Sequence, residues 1–460
     1  MNCIFCFSIV LLVSFQITTA TTIHVPDDQP AIQSALNVAV EGDTVLAAAG
    51  TYYENIIWPA VNGIKLIGSG EEDCIIDGDE LGSVIRFEEE LGGIIDSTTL
   101  VTGFAIQDGF AQHGSGINLE TASPTLTNLI ITDNLAVGYG AFGGGISCFN
   151  SNPTLTNVII TDNSAVGEVT GGGGIACVSS SPALTNVMIT DNTVSGLAGV
   201  GGGIYCYNSS CPTLSNVTIS GNAGIQGGGI GCWEFSNPLL AHVTITGNEA
   251  YFGGGLYCRD SNPVLDGALI SYNHALATGG GMCCEYDSCP TLTNVTISEN
   301  MADDGGGGID SDDSNPVLEN CILWEDTPQE IIGEVTVSCS DVQGGWEGAN
   351  NIDLDPLFCD PDNGDYRLQL DSPCRTDVCG FMGYTDEFCV GMDITDLQIT
   401  ITVHGDLELY WSPVPESSSY NIYSSDAPAG PWSLESTVTQ PFYTMPYQGG
   451  NGFFYVAWED

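Results

Sequence analysis

Positively charged side chains are scarce in this chain of 460 residues. Five Lys and Arg residues stand against 58 Asp and Glu residues, which gives a formal net charge of −53. A negative field of this size repels nucleic acids, anionic lipid surfaces and polyanionic sugars, so we expect no nucleic-acid partner. The charge does not indicate disorder, because 43% of the residues are hydrophobic and Gly, Ile, Val and Thr recur regularly.

Long apolar runs are also missing beyond the N-terminus. Residues 1–20 carry no charged side chain and hold an apolar run from Ile4 to Phe15, followed by Thr18-Thr19-Ala20. An apolar run of this length before small residues is typical of a secretory signal and is too short to span a bilayer. We therefore expect a signal peptide at residues 1–20, no membrane span, and a secreted or cell-surface protein.

A Gly-rich step followed by an apolar residue repeats through the middle of the chain. Successive steps are separated by 29, 29, 29, 26, 26, 26 and 27 residues. Their apolar residues are Ile117, Ile146, Ile175, Ile204, Ile230, Leu256, Met282 and Ile309. Such a fixed period is typical of a solenoid, in which each repeat buries its apolar face only against its neighbours.

Each repeat contains three short segments with the alternation of a β-strand. In residues 203–222, Ile204 and Cys206 alternate with tyrosines, Leu214 lies in a second segment, and Ile219 alternates with hydroxyl residues in a third. No helical period appears, and β-branched residues dominate. Three strands in about 26–29 residues describe one coil, so the sequence predicts an all-β fold: a right-handed parallel β-helix solenoid followed by a small β-sandwich.

Three ladders follow, because stacked coils place equivalent residues about 4.8 Å apart. The first consists of Cys148, Cys177, Cys206, Cys232, Cys258 and Cys284. The second consists of Asn128, Asn157, Asn186, Asn216, Asn294 and Asn320, interrupted at His242 and Gly267. The third consists of Asn134, Asn163, Asn192, Asn222, Asn248, Asn273 and Asn300. We expect a stack of buried, reduced thiols, and Asn side chains that pass hydrogen bonds between coils or accept left-handed backbone geometry.

The chain ends depart from the repeat and predict caps. Residues 21–60 are expected to form an N-terminal cap and first coil, in which Ile32, Ala35 and Leu36 share one helix face. The repeats occupy residues 61–350, a Cys-rich C-terminal cap residues 351–392, and the small β-sandwich residues 393–460. Some of the six cysteines beyond the ladder, from Cys321 to Cys389, are expected to be paired.

The motifs carry three resemblances. The Gly-Gly-Gly-Ile steps and Ile-Thr-x-Asn segments over roughly residues 100–320 resemble the repeats of chlamydial polymorphic outer-membrane proteins and related bacterial right-handed β-helix proteins. The opening segment, from Ala31 to Glu54, resembles the start of pectin methylesterases and other pectin-processing β-helices. Residues 393–460 resemble a fibronectin type III module. These resemblances imply a fold and a surface role more than they imply a reaction.

Residues that polysaccharide-active β-helices use for catalysis are not grouped in the sequence. Lyases of the pectate type need a basic residue beside Ca²⁺, whereas the basic side chains here are scattered. They are Lys65, Arg86, Arg259, Arg367 and Arg375. The Asn-Thr-Asp, Gly-His-Gly and Arg-Ile-Lys segments of polygalacturonase-like hydrolases are absent, and the five histidines share no repeat position. We predict no catalytic residue.

Acidic clusters leave one candidate for a metal site. Carboxylates concentrate at Asp353, Asp355, Asp360, Asp362 and Asp365. Oxygen-rich loops can hold Ca²⁺, which takes six to eight such ligands, and the alternative is an exposed acidic surface. A second concentration lies at Asp303, Asp304, Asp310, Asp312 and Asp313. Calcium is the only cofactor that the sequence suggests.

Aromatic residues flank the Cys ladder on the face that points away from the core. Tyr205, Tyr207, Trp233 and Tyr257 are expected to be exposed there, where they could stack on neutral glycans or on a surface protein. The sequence therefore predicts a secreted or cell-surface β-helix protein with a structural, adhesive or interaction role. The alternative is a polysaccharide-binding protein or a pectin-type polysaccharide lyase or hydrolase. The oligomeric state is left open.

Overall fold

The computed structural model describes residues 20–88, 94–369, 371–376, 378–385, 398–401, 406–411, 419–425, 433–446 and 453–459. The predicted signal peptide lies outside these residues, apart from Ala20, and so do parts of the predicted C-terminal sandwich. The chain divides into two compact units, Met1–Leu197 and Ala198–Asp460. No helix in the described part is long and apolar enough to cross a membrane.

The repeated coil has the predicted strands. The strands that start at the apolar residue of each Gly-rich step are called the front sheet, and the strands of the next two segments are called the back sheet. In the coil that starts at Ile204, the front strand is Ile204–Tyr207 and the back strands are Thr213–Ser215 and Thr218–Ser220. Strands of successive coils pair in parallel. The fold class is therefore confirmed as a right-handed parallel β-helix followed by small sheets.

The α-helix Ile32–Leu36 follows the first strand of the first unit, and Ile32, Ala35 and Leu36 are buried in it as predicted. Its front strands are Ile56–Ile57, Ile85–Phe87, Ile117–Glu120, Ile146–Phe149 and Ile175–Val178. Its back strands are Thr22–Val25, Thr44–Ala47, Gly50–Tyr53, Lys65–Ile67, Cys74–Asp77, Leu100–Gln107, Thr125–Thr132, Thr154–Thr161, Ala183–Thr185 and Met188–Thr190. Strands that lie between the back strands of one coil and the next Gly-rich step are called side strands. They are Phe110–Ala111, Leu135–Val137, Ala141–Phe142, Ser164–Gly171 and Thr193–Val200. Thr193–Val200 contains the boundary between the units.

The second unit continues the same pattern with shorter back strands. Its front strands are Ile204–Tyr207, Ile230–Trp233, Leu256–Arg259, Met282–Glu285, Ile309–Ser311 and Ile331–Gly333. Its back strands are Thr213–Ser215, Thr218–Ser220, Leu239–Ala241, Thr244–Thr246, Val264–Asp266, Leu269–Ser271, Thr291–Thr293, Thr296–Ser298, Val317–Glu319, Ile322–Trp324, Thr336–Ser338 and Asp341–Val342. Its side strands are Glu249–Phe252, His274–Thr278 and Met301–Ala302.

Antiparallel pairs follow the coils of the second unit. Phe358–Asp360 pairs with Asp365–Leu368 around the 3-10 turn Pro361–Asn363, and Arg375–Thr376 pairs with Gly380–Phe381. Two three-stranded sheets come last. The first contains Gln398–Ile401, Asp406–Tyr410 and Phe442–Pro446. The second contains Ser419–Ser425, Ser433–Val438 and Phe453–Glu459. Leu409 and Trp411 share one core cluster with Tyr420, Ile422 and Val456, so the two sheets form a small sandwich.

The Cys ladder is confirmed as a stack of buried thiols. Cys148 is the strand partner of Cys177, and in the second unit Cys206, Cys232, Cys258 and Cys284 are partners in succession. All six are buried and none forms a disulfide. Beyond the ladder, Cys339 and Cys379 form a disulfide and Cys359 is also disulfide-bonded, which confirms the expected pairing there.

The third ladder forms a chain of side-chain amides within each unit. Asn134 Nδ2 donates to Asn163 Oδ1 at 2.9 Å, and Asn163 repeats this to Asn192 at 3.0 Å. In the second unit the same bond joins the four residues from Asn222 to Asn300, each at 2.9 Å. These side chains are fully buried. The ladder therefore gives a hydrogen-bond partner to polar groups that would otherwise lack one in the core of each coil.

The second ladder has the other expected role. Asn128, Asn157, Asn186 and their successors have φ between +48° and +56°, and His242 and Gly267 take the same geometry where the ladder is interrupted. Asn tolerates this left-handed region better than most residues. Asn157 Nδ2 also donates to Asn128 Oδ1, and Asn186 Nδ2 donates to Asn157 Oδ1, at 3.3 Å each. Both ladders therefore pass hydrogen bonds between coils, and the second one also turns the chain at the surface.

The Gly-rich step is required by backbone contact between coils. A Cβ added to Gly254 would lie 2.6 Å from both the Gly280 and the His274 carbonyl oxygens. A Cβ added to Gly143, where φ is +69°, would lie 2.2 Å from the Ile146 oxygen. The steps therefore let one coil turn its corner directly against the backbone of the next.

Candidate functional site

The outward face of the front sheet in the first unit carries two rows of side chains. Strand register places Arg86, Asn118 and Ser147 side by side on successive coils, and Glu120, Phe149 and Val178 two residues further on. The residues between them point inward, since Leu119 and Cys148 are buried in the core. These rows form the floor of a cavity of about 320 Å³. We call it the front groove. Its lining residues are His113, Asn118, Glu120, Phe142, Ser147, Phe149 and Val178.

One side of the front groove is aromatic. Phe149 is 48% exposed on its strand. The rings of His113 and Phe142 stack with centroids 5.8 Å apart and planes 15° apart, at one edge of the groove. Rigid, partly exposed rings of this kind offer a flat surface to the apolar face of a ligand.

The other side of the front groove supplies hydrogen-bonding groups. Asn118 Nδ2 donates to Glu120 Oε1 at 2.9 Å, which fixes the direction of the carboxylate. Next to Asn118 on the preceding coil, Arg86 Nε lies 3.0 Å from Glu88 Oε1. Burial lowers the pKa of His113, and the nearby Glu120 charge opposes that effect. The groove therefore holds a neutral imidazole at neutral pH and can both donate to and accept from hydroxyl groups.

The prediction of four exposed aromatic residues on the front sheet is wrong for two of them. Tyr205 is 5% exposed and Tyr257 is fully buried, whereas Tyr207 and Trp233 are partly exposed. Tyr257 is covered by the side chain of Gln226, which lies on the preceding coil. Gln226 donates to the Tyr257 hydroxyl at 3.3 Å, and that hydroxyl donates to Glu285 Oε2 at 2.6 Å.

An arginine lies between two aromatic rings on the front sheet of the second unit. The Arg259 guanidinium carbon is 5.0 Å from the Trp233 ring centroid on the preceding strand and 4.3 Å from the Tyr286 ring centroid. We call these three residues the Arg259 clamp. Tyr286 is 53% exposed. Beside it lies an acidic groove of about 690 Å³, whose lining includes Asp260, Asp287, Asp312, Asp313 and Glu334.

The proposed calcium ligands each make local contacts. Asp353 accepts from the Gly344 backbone, Asp355 from the Leu357 backbone, and Asp360 from the Asn363 side chain. Asp365 pairs with Arg367 at 2.7 Å, which lowers the pKa of that carboxyl, and Asp362 lies in the 3-10 turn. Among the described residues, no three His, Cys, Asp or Glu side chains are grouped to hold a metal ion. The calcium site stays a prediction.

The remaining carboxylates that the sequence singled out do not converge either. Asp133, Asp162 and Asp191, at matching corners of three coils, are also exposed, and their φ between +55° and +57° is typical of turn residues. Asp303 contacts His274 at 3.4 Å, while Asp310 is buried and accepts from the Gly306 backbone. Asp312 and Asp313 both line the acidic groove beside Tyr286.

A buried pair of carboxyl groups was not predicted from the sequence. Asp326 and Glu330 are 5% and 8% exposed, and Asp326 Oδ2 and Glu330 Oε2 have no hydrogen-bond partner among the described residues. Burial is the main cause that raises the pKa of both groups. Asp326 lies 26 residues after Asn300 and occupies the next position of the third ladder. The ladder spacing itself was the signal that could have revealed it.

Comparisons with known proteins agree with the coil. The family described as "Right handed beta helix region" matches residues 202–327. No curated protein matches the chain. Among solved structures, the pectate lyase Pel9A has 10% identity and a TM-score of 0.41, with 80% of this chain and 95% of that chain covered.

Two further structures are similar at the same low level. The catalytic unit of a thermostable GH87 alpha-1,3-glucanase from Streptomyces thermodiastaticus has 13% identity, covers 75% of this chain and 71% of that chain, and has a TM-score of 0.34. The A-module of the mannuronan C-5 epimerase AlgE6 from Azotobacter vinelandii has 12% identity, covers 71% and 94%, and has a TM-score of 0.29. Similarities of this size do not identify a function.

Proposed function

We propose that this protein is an exported β-helix with an adhesive or structural role, and that its front groove binds a neutral glycan. One observation carries the proposal: the groove combines an aromatic wall, formed by Phe149, Phe142 and His113, with the hydrogen-bonding groups of Asn118 and Glu120. Sugars present an apolar face and a rim of hydroxyl groups, and this groove offers a partner to each. The net charge of −53 favours a neutral chain over a polyanionic one.

The proposal includes the finer assignments made from the sequence. The coils would be repeats of the kind found in polymorphic outer-membrane proteins, and residues 393–460 would be a fibronectin type III-like accessory module. Residues 1–20 would direct export. Among the described residues that line the groove, Glu120 is the one carboxyl group, whereas glycoside hydrolysis commonly uses a pair with separated pKa values, so we favour binding without turnover.

The test is a neutral glycan array followed by calorimetry with the F149A variant. Removal of the ring should weaken binding by about 3- to 12-fold, the effect of losing one aromatic contact of about 0.6–1.5 kcal/mol. F235A is the matched control, because Phe235 is 68% exposed and does not line the front groove. Equal loss in both variants, or the release of new reducing or unsaturated ends from the bound glycan, would contradict the proposal.

A further inference from the structure

Arg259 contacts aromatic rings, whereas two other arginines pair with carboxylates. Arg86 lies 3.0 Å from Glu88, and Arg367 contacts Asp365 through both Nε and Nη2, at 2.8 and 2.7 Å. Arg259 makes no hydrogen bond or ion pair with any described residue through its guanidinium group, although the chain has 58 acidic residues. Its contacts are ring faces. The donors of its planar group are therefore available to a ligand.

The structure also explains why neighbouring carboxylates leave Arg259 unpaired. Glu285 is its strand partner, but Glu285 Oε2 already accepts the Tyr257 hydroxyl at 2.6 Å. The Trp233 and Tyr286 rings hold the guanidinium against their faces, at 5.0 and 4.3 Å. The guanidinium therefore contacts rings instead of a carboxylate, and its plane is fixed before a ligand binds.

We infer that the Arg259 clamp binds the carboxylate of an acidic sugar residue, as a ligand contact additional to the front groove. A guanidinium with a fixed plane matches a carboxylate through two parallel hydrogen bonds. The exposed Tyr286 ring can cover the apolar face of the same sugar. The inference rests on the proposed glycan-binding function, and it adds that the glycan carries an occasional acid group.

The acidic surroundings limit the ligand to isolated acid groups. Asp260 follows Arg259 in the chain, and Asp287 follows Tyr286 and lines the acidic groove. A polyuronate would place its other carboxylates against these residues. A single acid group is tolerated because the guanidinium charge of Arg259 opposes it directly, whereas further carboxylates would meet the acidic groove, whose lining contains no Lys or Arg. The ligand class is therefore a mainly neutral glycan with a single carboxylated residue at a chain end or branch.

Nuclear magnetic resonance of the arginine side chains tests this directly, because the chain has only four arginines. Sodium glucuronate and glucose are the matched probes, added separately to the full-length ¹⁵N-labelled protein. Glucuronate should shift the Arg259 Nε–H signal saturably, while glucose leaves it in place. R259Q and R259K should each weaken glucuronate binding at least about tenfold, since Lys keeps the charge but not the planar pair of donors. R367Q, which removes an arginine that is already paired, should bind as the wild type does.

The outcomes separate this inference from the proposed function. Equal responses to the two probes, a response at another arginine, or wild-type binding by R259K would overturn the inference. Normal circular dichroism and melting of R259K would show that any loss is not unfolding. If neutral glycans fail to bind at the front groove while glucuronate still shifts Arg259, the proposed function fails and a carboxylate site remains. If neutral glycans bind and lose affinity in F149A while glucuronate does nothing, only the inference fails.

Discussion

Asn300 donates both its backbone N–H and its side-chain amide to Oδ1 of Asp326, at 2.7 and 2.8 Å. Asp326 thus ends a chain of amides in which every Nδ2 points toward the higher residue number, from Asn222 to Asn300. Aligned amide dipoles place partial positive charge at the end of the chain, as the peptide dipoles of a helix do at its N-terminus. A carboxylate is therefore the favoured residue there, and the buried Glu330 beside it is the favoured holder of a proton.

The first prediction concerns pH. Burial raises the pKa of both Asp326 and Glu330 above the unfolded values of about 4, and the Glu299 charge adds to this for Asp326. The folded protein then binds more protons than the unfolded chain, so this contribution to stability is complete below about pH 4 and is lost as pH rises. E330Q should melt with a smaller loss of Tm between pH 5 and pH 9 than the wild type.

A matched control for that measurement is E334Q. Glu334 lines the acidic groove and is exposed, so E334Q removes one negative charge without removing a buried carboxyl. It should keep the wild-type dependence of Tm on pH. An identical slope in E330Q and the wild type would show that the pair is ionised when folded, against the prediction.

The second prediction concerns the amide chain itself. Asn248 donates to Asn273 Oδ1 and to two backbone carbonyls, and it accepts from Asn222. N248A should lower the free energy of unfolding by about 2–4 kcal/mol, because it strands several buried groups at once. N157G, on the exposed second ladder at φ +54°, should change it by less than about 0.5 kcal/mol. Chemical denaturation of the two variants checks the difference, and similar values would contradict it.

The coil and its ladders were predictable because they follow from spacing along one dimension. A residue that recurs every 26 or 29 positions must stack, so Cys258 and Asn248 were placed correctly from the sequence. The grooves were not predictable, because they depend on loops that vary between coils. Tyr257 alternates as an exposed residue would, yet the loop that contains Gln226 buries it.

The Arg259 clamp shows the same limit. Arg259 and Trp233 occupy equivalent positions in the sequence repeat, so their proximity could be expected. Tyr286 contacts Arg259 from the corner just after the strand Met282–Glu285, where its backbone is left-handed at φ +56°. A bulky residue in that geometry is not signalled by composition or period. The contact between Tyr286 and Arg259 could therefore not be predicted from the sequence.

The third prediction concerns thiol reactivity. Burial raises the pKa of Cys258 far above its ordinary value, so little reactive thiolate is present in the folded protein. Cys289, in contrast, is exposed. Brief treatment with iodoacetamide under native conditions should label Cys289 and leave the six ladder cysteines unlabelled until denaturant is added. Peptide mass mapping gives the order of labelling, and early labelling of Cys258 would refute the buried stack.

The fourth prediction retains the calcium site of the sequence reasoning. Oδ1 of Asp353 accepts from the Gly344 backbone, and Oδ1 of Asp355 accepts from the Leu357 backbone. The Oδ2 atoms could then bind a cation. Millimolar Ca²⁺ should raise Tm and slow proteolysis between residues 353 and 365, and a chelator should reverse both effects. D353N together with D355N should abolish the response. No change on adding Ca²⁺ or chelator would remove this site from consideration.

The fifth prediction concerns the Gly-rich step and compares Gly254, which belongs to the step, with Gly247, a corner glycine outside it. A Cβ at Gly254 would lie 2.6 Å from two backbone oxygens of the next coil, which cannot move without separating the coils. Gly247 has φ +63° but nothing within 4 Å of its would-be Cβ, so G247A costs only backbone strain of about 1–2 kcal/mol.

G254A should therefore lose more stability than G247A, by at least about 2 kcal/mol, because overlap with fixed backbone is not relieved by rotamer changes. Urea denaturation followed by far-ultraviolet circular dichroism measures both. If G247A were the more damaging change, backbone strain would outweigh the close approach of the coils, against the prediction. The expected order instead makes direct backbone contact the reason that the repeat begins with glycine.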